Sequence, residues 1–371
     1  MVHPNERTER NQTYLRPWPI RTKPFEDELL SSWLIRASFD NFTKPLILTS
    51  YLWDKWRAWT LDLDRELTKP RLHRLSIYSG VSEERIEQMM LRSTLEKISR
   101  AKLISQTPWP WVVARGTRNL NTYRYQPFCP ECLNNDSEPY FRRIWRLSFI
   151  TICPKHQCLL QDCCPYCKQS VEPHRLKKKA LRECKYCQKD ISSHPSKKAN
   201  EDLIDTTSEL VRLINEPNTD TQDRFHQLDF WIAMLRKLSL GRTEAHKEVF
   251  SDLINRKDRA LIASCSGVNF DFLTVETRAT FLKYCKAMDS DSFSKEIAQL
   301  VPRGLSQSFM RSLLTVTPPP VLKILGVEQS SKPKEKKNNK PAVVFSKKPC
   351  SRPVVEKKWE LLIRKHNLGN L

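Results

Sequence analysis

The amino-acid sequence predicts a mainly α-helical protein whose small β elements are confined to a cysteine-rich middle. Apolar residues recur at helical spacing before about residue 115 and again after about residue 200. Between these stretches, four Cys-x2-Cys or Cys-x2-His steps follow one another from Cys129 to Cys187. After residue 330 the composition shifts to Lys, Pro and Asn with few apolar side chains.

A chain of 371 residues has room for two or three domains. Its 63 Lys+Arg against 42 Asp+Glu give a net charge of +21. A field of that size and sign favours a polyanionic partner, nucleic acid before an anionic membrane. No apolar run reaches the roughly eighteen residues needed to span a bilayer. Glycine is scarce, at seven residues, and neither a Gly-x4-Gly-Lys-Ser/Thr loop nor a Gly-x-Gly-x-x-Gly turn occurs. Neither an intrinsic NTPase nor a Rossmann enzyme is therefore expected.

Residues 1–20 read as a flexible basic arm with no apolar signal region, and 21–115 as a helical N-terminal domain. After Pro24, the residues Leu29, Leu30, Trp33, Leu34 and Ala37 share one helical face, with Glu26, Asp27 and Glu28 at its start. Further on, Leu72–Ser79 forms a short helix, Gly80 breaks it, and Ser82 caps a second from Glu83 to about Met90. Helix, glycine turn and capped helix outline a helix-turn-helix. Its second helix carries Glu83, Glu84 and Glu87, which would repel phosphates. These glutamates are candidates for binding a protein partner.

The module at 116–200 carries the chemistry. Cys129, Cys132, Cys153 and His156 form one quartet, with twenty residues between the two steps. Cys164, Cys167, Cys184 and Cys187 form another, with sixteen between. Each two-residue step puts two ligands on one tight knuckle, and two knuckles complete a tetrahedron around Zn²⁺. Every corner is sulfur or imidazole and none is left for water, so two structural zinc ions are expected in a zinc-ribbon or zinc-knuckle arrangement. With few long apolar runs nearby, the metals are expected to stand in for a hydrophobic core. Disulfides would instead need an oxidising compartment. Cys163 and Cys164 are adjacent, and only Cys164 keeps the two-residue gap to Cys167. Cys158, Cys265, Cys285 and Cys350 have no spaced partner and are expected to be ordinary thiols.

Within the first quartet, Tyr140–Ile150 alternates apolar Phe141, Trp145, Leu147 and Phe149 with Arg142 and Arg146, suggesting a strand or short hairpin with cations on one face. Arg143 breaks the alternation. Arg175, Lys177, Lys178, Lys179 and Arg182 fall between the knuckles of the second quartet. These eight cations are candidates for a phosphate-tracking surface on rigid metal knuckles. Residues 201–325 return to helical spacing, with helices expected over 203–215, 225–238, 244–255 and 275–288. A basic low-complexity tail follows over 326–371, with a short terminal helix near 355–368 and capacity for nucleic acid or a partner protein.

Several of these motifs form one ordered set. Residues 24–36 give Pro, an acidic cluster and Leu-Leu-Ser-Ser-Trp-Leu-x-Arg, and Gly80–Leu91 follows. Next come Phe128-Cys-Pro-Glu-Cys-Leu133, Tyr140 and Trp145-Arg146-Leu147. Cys153-x-x-His156-x-Cys-Leu-Leu160 and Cys164-Pro-x-Cys167 complete the set. In that order and spacing the chain resembles, over about residues 16–190, the TniQ family of transposition proteins, which includes the TnsD target selectors of Tn7-like elements. The resemblance implies a non-catalytic adaptor in the bacterial cytoplasm, associated with the nucleoid. Such a protein links a target site to a TnsC-like AAA+ ATPase that brings the transposase. The target complex is either a CRISPR Cascade-type effector with its guide RNA or, in TnsD-like members, target DNA bound directly. The modest length leans toward the effector-carried role, while the basic tail keeps direct DNA binding open.

The resemblance also carries the eight zinc ligands over, makes the helical N-terminal domain a usual partner surface, and permits a homodimer. An integrase-type enzyme would need three carboxylates around two Mg²⁺ ions. The acids here are scattered helical clusters, so no catalytic residue is assigned.

Overall fold

The computed structural model describes residues 17–54, 56–104, 107–114, 126–241, 243–265 and 267–285, with isolated positions beyond (295, 297–300, 309 and 313). Most of the expected arm, all of the expected basic tail with its terminal helix, and Cys350 lie outside the described residues. Contacts divide the chain into two units, Met1–Val327 and Glu328–Leu371. The fold below is that of the first.

The chain is mainly helical, and among the described residues strand pairing is limited to isolated bridges. Helix α1 (Leu30–Asp40) is the hub of the N-terminal part, with every residue from Leu30 to Ser38 buried. A helix buried all round is a core helix. Its Arg36 pairs with Glu28 at 2.6 Å and Glu138 at 2.8 Å, so the enclosed cation is doubly neutralised.

Helix α1 ends in a Schellman motif: Thr43 N–H donates to Ser38 O at 2.9 Å and Phe42 N–H to Phe39 O at 3.0 Å. Phe42 occupies the left-handed position of that motif, with φ 55°, where glycine is usual. Helix α2 (Pro45–Trp53) was not foreseen. Its Leu48, Leu52 and Trp53 face the core, while Leu46, Ile47 and Tyr51 are exposed.

The paired helices expected next are α3 (Lys69–Ser79) and α4 (Glu83–Gln88), the latter ending two residues sooner than expected. Gly80 makes the turn at φ 71°, and Ser82 accepts from Arg85 N–H as the cap. A short α5 (Arg92–Ile98) closes this part, and α6 (Pro130–Asn135) opens the cysteine-rich segment.

Five helices follow: α7 (Glu201–Asn215), α8 (Thr221–Ser239), α9 (Glu244–Leu253), α10 (Arg256–Cys265) and α11 (Val275–Lys283). Four of them answer to expected helices, and α10 is new. Described residues of α11 stop at Lys283, five short of the expected end.

The folded segments share one core. Buried side chains run in a single connected cluster from Trp18 to Leu313, and the cysteine-rich segment contributes Phe128, Phe141, Trp145 and Phe149. This corrects the expectation that metal replaces a core there.

The expected strand over 140–150 is likewise absent. Arg143–Arg146 is a 3-10 turn, flanked by bridges from Glu28 to Arg142 and from Val112 to Leu147. The backbone here serves two neighbours. Leu29 N–H donates to Phe141 O and Arg143 N–H to Asp27 O, while Val113 N–H donates to Arg146 O and Ser148 N–H to Trp111 O. With protein on both sides, the period-2 pattern marks a sandwiched strap rather than a sheet with a wet face.

Candidate metal centres and the cations around them

Three of the four knuckles are built alike. In each six-residue turn, the first ligand's N–H donates to the carbonyl five residues on: Cys153 to Cys158 at 2.8 Å, Cys164 to Gln169 at 2.8 Å, Cys184 to Lys189 at 2.9 Å. The residue just after the second ligand donates back to the first ligand's carbonyl: Gln157 at 2.8 Å, Lys168 at 3.0 Å, Gln188 at 2.8 Å. That residue is left-handed each time, with φ of 51°, 59° and 61°. None is glycine, so each turn carries backbone strain of roughly 1 kcal/mol.

The fourth knuckle is a helix start. Cys129 is the N-cap of α6, and its sulfur accepts from Cys132 N–H at 3.4 Å.

These turns gather the eight expected ligands into two groups, each with ligand atoms within 4.8 Å of one another. In the first, His156 Nδ1 lies 3.4, 3.3 and 3.6 Å from the sulfurs of Cys129, Cys132 and Cys153, and Cys132 and Cys153 sulfurs are 3.5 Å apart. In the second, Cys164–Cys187 and Cys167–Cys184 are each 3.6 Å apart. Tetrahedral ligands at Zn–S of about 2.3 Å would be separated by roughly 3.5–3.8 Å. The donor sets, Cys₃His and Cys₄, thus fit a divalent thiophilic ion closely, and Cys164 joins the quartet rather than Cys163. Such an ion would close each tetrahedron and contribute directly to folding.

Cys158, expected to be an ordinary thiol, is buried with its sulfur 3.7 Å from that of Cys129. Hydrogen bonds from the side chains of Cys132, Cys153 and Cys158 push the Cys129 thiol far down, while the contact with Cys129 pushes Cys158 up. Cys158 thus sits against a ligand sulfur from outside the quartet, within hydrogen-bonding distance of it. Its only trace in the sequence is the spacing His156-x-Cys158.

The eight cations expected to face phosphate divide sharply. Arg146 is fully buried and pairs with Asp62 at 2.7 Å and Asp64 at 3.0 Å. Arg142 grips Asp136 with two bonds, of 3.0 and 2.8 Å. The nucleic-acid role expected of these two is therefore corrected: Arg146 meets acids of the N-terminal part and Arg142 an acid six residues back in its own loop, and the pairs hold the strap in the core. Lys179 pairs with Asp40, at the end of α1, at 2.6 Å and also with Glu138. The Arg36 guanidinium, hydrogen-bonded to Glu138, and then Lys179 hold that carboxyl down at about 2. Arg182 donates to the carbonyls of Asn134 and Asp136 at the end of α6, linking the two quartets.

Arg175, Lys177 and Lys178 remain exposed, Arg175 beside Glu172 at 3.4 Å and Lys178 on Glu183 at 2.7 Å. Arg143 is half-buried in a slot between the strap and helix α7. On α4, Glu84 and Glu87 are exposed, whereas Glu83 pairs with His73 at 2.7 Å.

With this geometry in hand, the comparisons locate the chain. Residues 19–160 match the family model described as TniQ. That span runs from ahead of α1 through the first quartet, so over this stretch the chain is similar to the TniQ family. No curated protein matches it. Among the described residues no helix is long and apolar enough to cross a membrane.

Proposed function

We propose that the protein is a non-catalytic target-selection adaptor in DNA transposition. It links a target-bound complex, an RNA-guided Cascade-type effector, to a TnsC-type AAA+ ATPase that recruits the transposase. One observation carries this reading: the TniQ match covers the segment in which α1 and the first quartet share one core. The two quartets are read as structural Zn²⁺ sites. The exposed glutamates of α4 offer a protein-binding face. Arg175, Lys177 and Lys178 offer a modest nucleic-acid contact.

Cations that a self-sufficient DNA reader would present are spent inside the fold at Arg142 and Arg146, which favours the adaptor over a TnsD-like protein that selects its site alone. The test mixes the purified protein with a TnsC-type ATPase and a Cascade-type effector. Co-elution with both, and no retardation of a specific duplex over random competitor at moderate salt, is the expected result. Sequence-specific retardation by the protein alone would select the TnsD-like reading instead.

A further inference from the structure

A slot of about 380 Å³ opens between the strap at 142–147, the first quartet and helix α7. One wall is apolar, from Ile144, Leu147, Val211 and Ile214. Arg143 lines it too, its guanidinium making no hydrogen bond and no ion pair among the described residues, and the lining residue Lys155 is exposed. Burial pushes the Arg143 guanidinium below its ordinary range, and the neighbouring Arg85 adds to the effect. The nearest acid, Asp27, is already engaged by the Tyr140 hydroxyl at 2.7 Å and by Arg142 at 3.3 Å. Trp145 also lines the slot, fully buried, and its Nε1–H finds no acceptor. A half-buried guanidinium with no hydrogen bond or ion pair of its own leaves the slot short of an anion.

We propose that this slot is a docking site for a short acidic–apolar peptide segment of a partner protein. A carboxylate on the segment pairs with Arg143 under the field of Lys155 and Arg85. The adjacent aliphatic or aromatic side chain covers Val211 and Ile214. Nucleic acid suits the slot less well: a phosphodiester would meet one recessed guanidinium and leave the apolar wall uncovered, whereas backbone-tracking sites present several cations on open surface. The inference deepens the adaptor reading by giving the partner's chemistry.

The test pans a random peptide library against the intact, metal-replete protein. Peptides joining Asp or Glu to Leu, Ile or Phe should be enriched. Arg143→Gln and, independently, Val211→Glu on the half-exposed opposite wall should weaken them about tenfold or more, with metal content and melting temperature unchanged. Lys177→Glu should leave binding as it was. No enrichment, enrichment without an acid, binding indifferent to both slot variants, or displacement by a short single-stranded oligonucleotide would each overturn the proposal. Peptide binding is read without the ATPase or effector, so its failure is separable from failure of the adaptor reading.

Discussion

Arg146 and Asp64 meet at 3.0 Å with both side chains wholly enclosed, joining the strap inside the first metal quartet to the segment that precedes α3. Asp64 also accepts from the N–H and hydroxyl of Ser31 at the start of α1, at 2.6 and 2.9 Å. One carboxylate thus ties the central helix to the metal-bearing segment. Removing one member strands an enclosed charge. Arg146→Ala should cost about 3–5 kcal/mol in chemical denaturation, and Arg146→Lys should recover little because an ammonium cannot span Asp62 and Asp64 as the guanidinium fork does.

Metal loss should differ between the quartets. Cys132→Ser should lower bound zinc from two ions to one and loosen α1, because Phe128, Phe141 and Trp145 beside it belong to the common core. Cys187→Ser should also release one ion yet leave α1 to α5 protected. Elemental analysis combined with limited proteolysis checks both outcomes.

Relieving the turn after α1 should stabilise the protein. Phe42 is 93 % exposed in a left-handed conformation that disfavours bulky residues. Phe42→Asn or Phe42→Gly should therefore raise unfolding free energy by about 0.5–1 kcal/mol, read as a higher melting temperature.

A pH signature should arise at Asp229 on α8, where burial pushes the carboxyl up to about 6 against a weaker pull from Arg236. In the unfolded chain the group titrates near 3.8, so between these values the folded state holds the extra proton. Its contribution is complete below pH 3.8 and is lost as pH rises toward 6. Asp229→Asn should therefore gain on the parent from pH 4 to 6.5 and hold a constant advantage above that, as paired denaturation curves would show.

The metal ligands were legible because coordination geometry is local: two residues between donors and a short loop between knuckles are enough. Helix α1 was legible from the spacing of Leu30, Trp33, Leu34 and Ala37. Helix α2 was not, because Pro45–Trp53 places Leu46, Ile47 and Tyr51 on its wet face and so shows no polar–apolar alternation. The arginines misled for another reason. Arg146 finds its acids 82 and 84 positions away, and no local pattern announces such a pairing. Cys158 escaped notice because its role is set by proximity to Cys129 across a turn, not by a ligand spacing.

The three knuckles that close on Gln157, Lys168 and Gln188 carry a last implication. A chain that forces ordinary side chains into mirror-image backbone has these loops under slight spring tension, which two backbone hydrogen bonds per turn already restrain and a captured ion would lock. Withdrawing such an ion should let the loops recoil toward ordinary backbone, so that its return would have to wind them again.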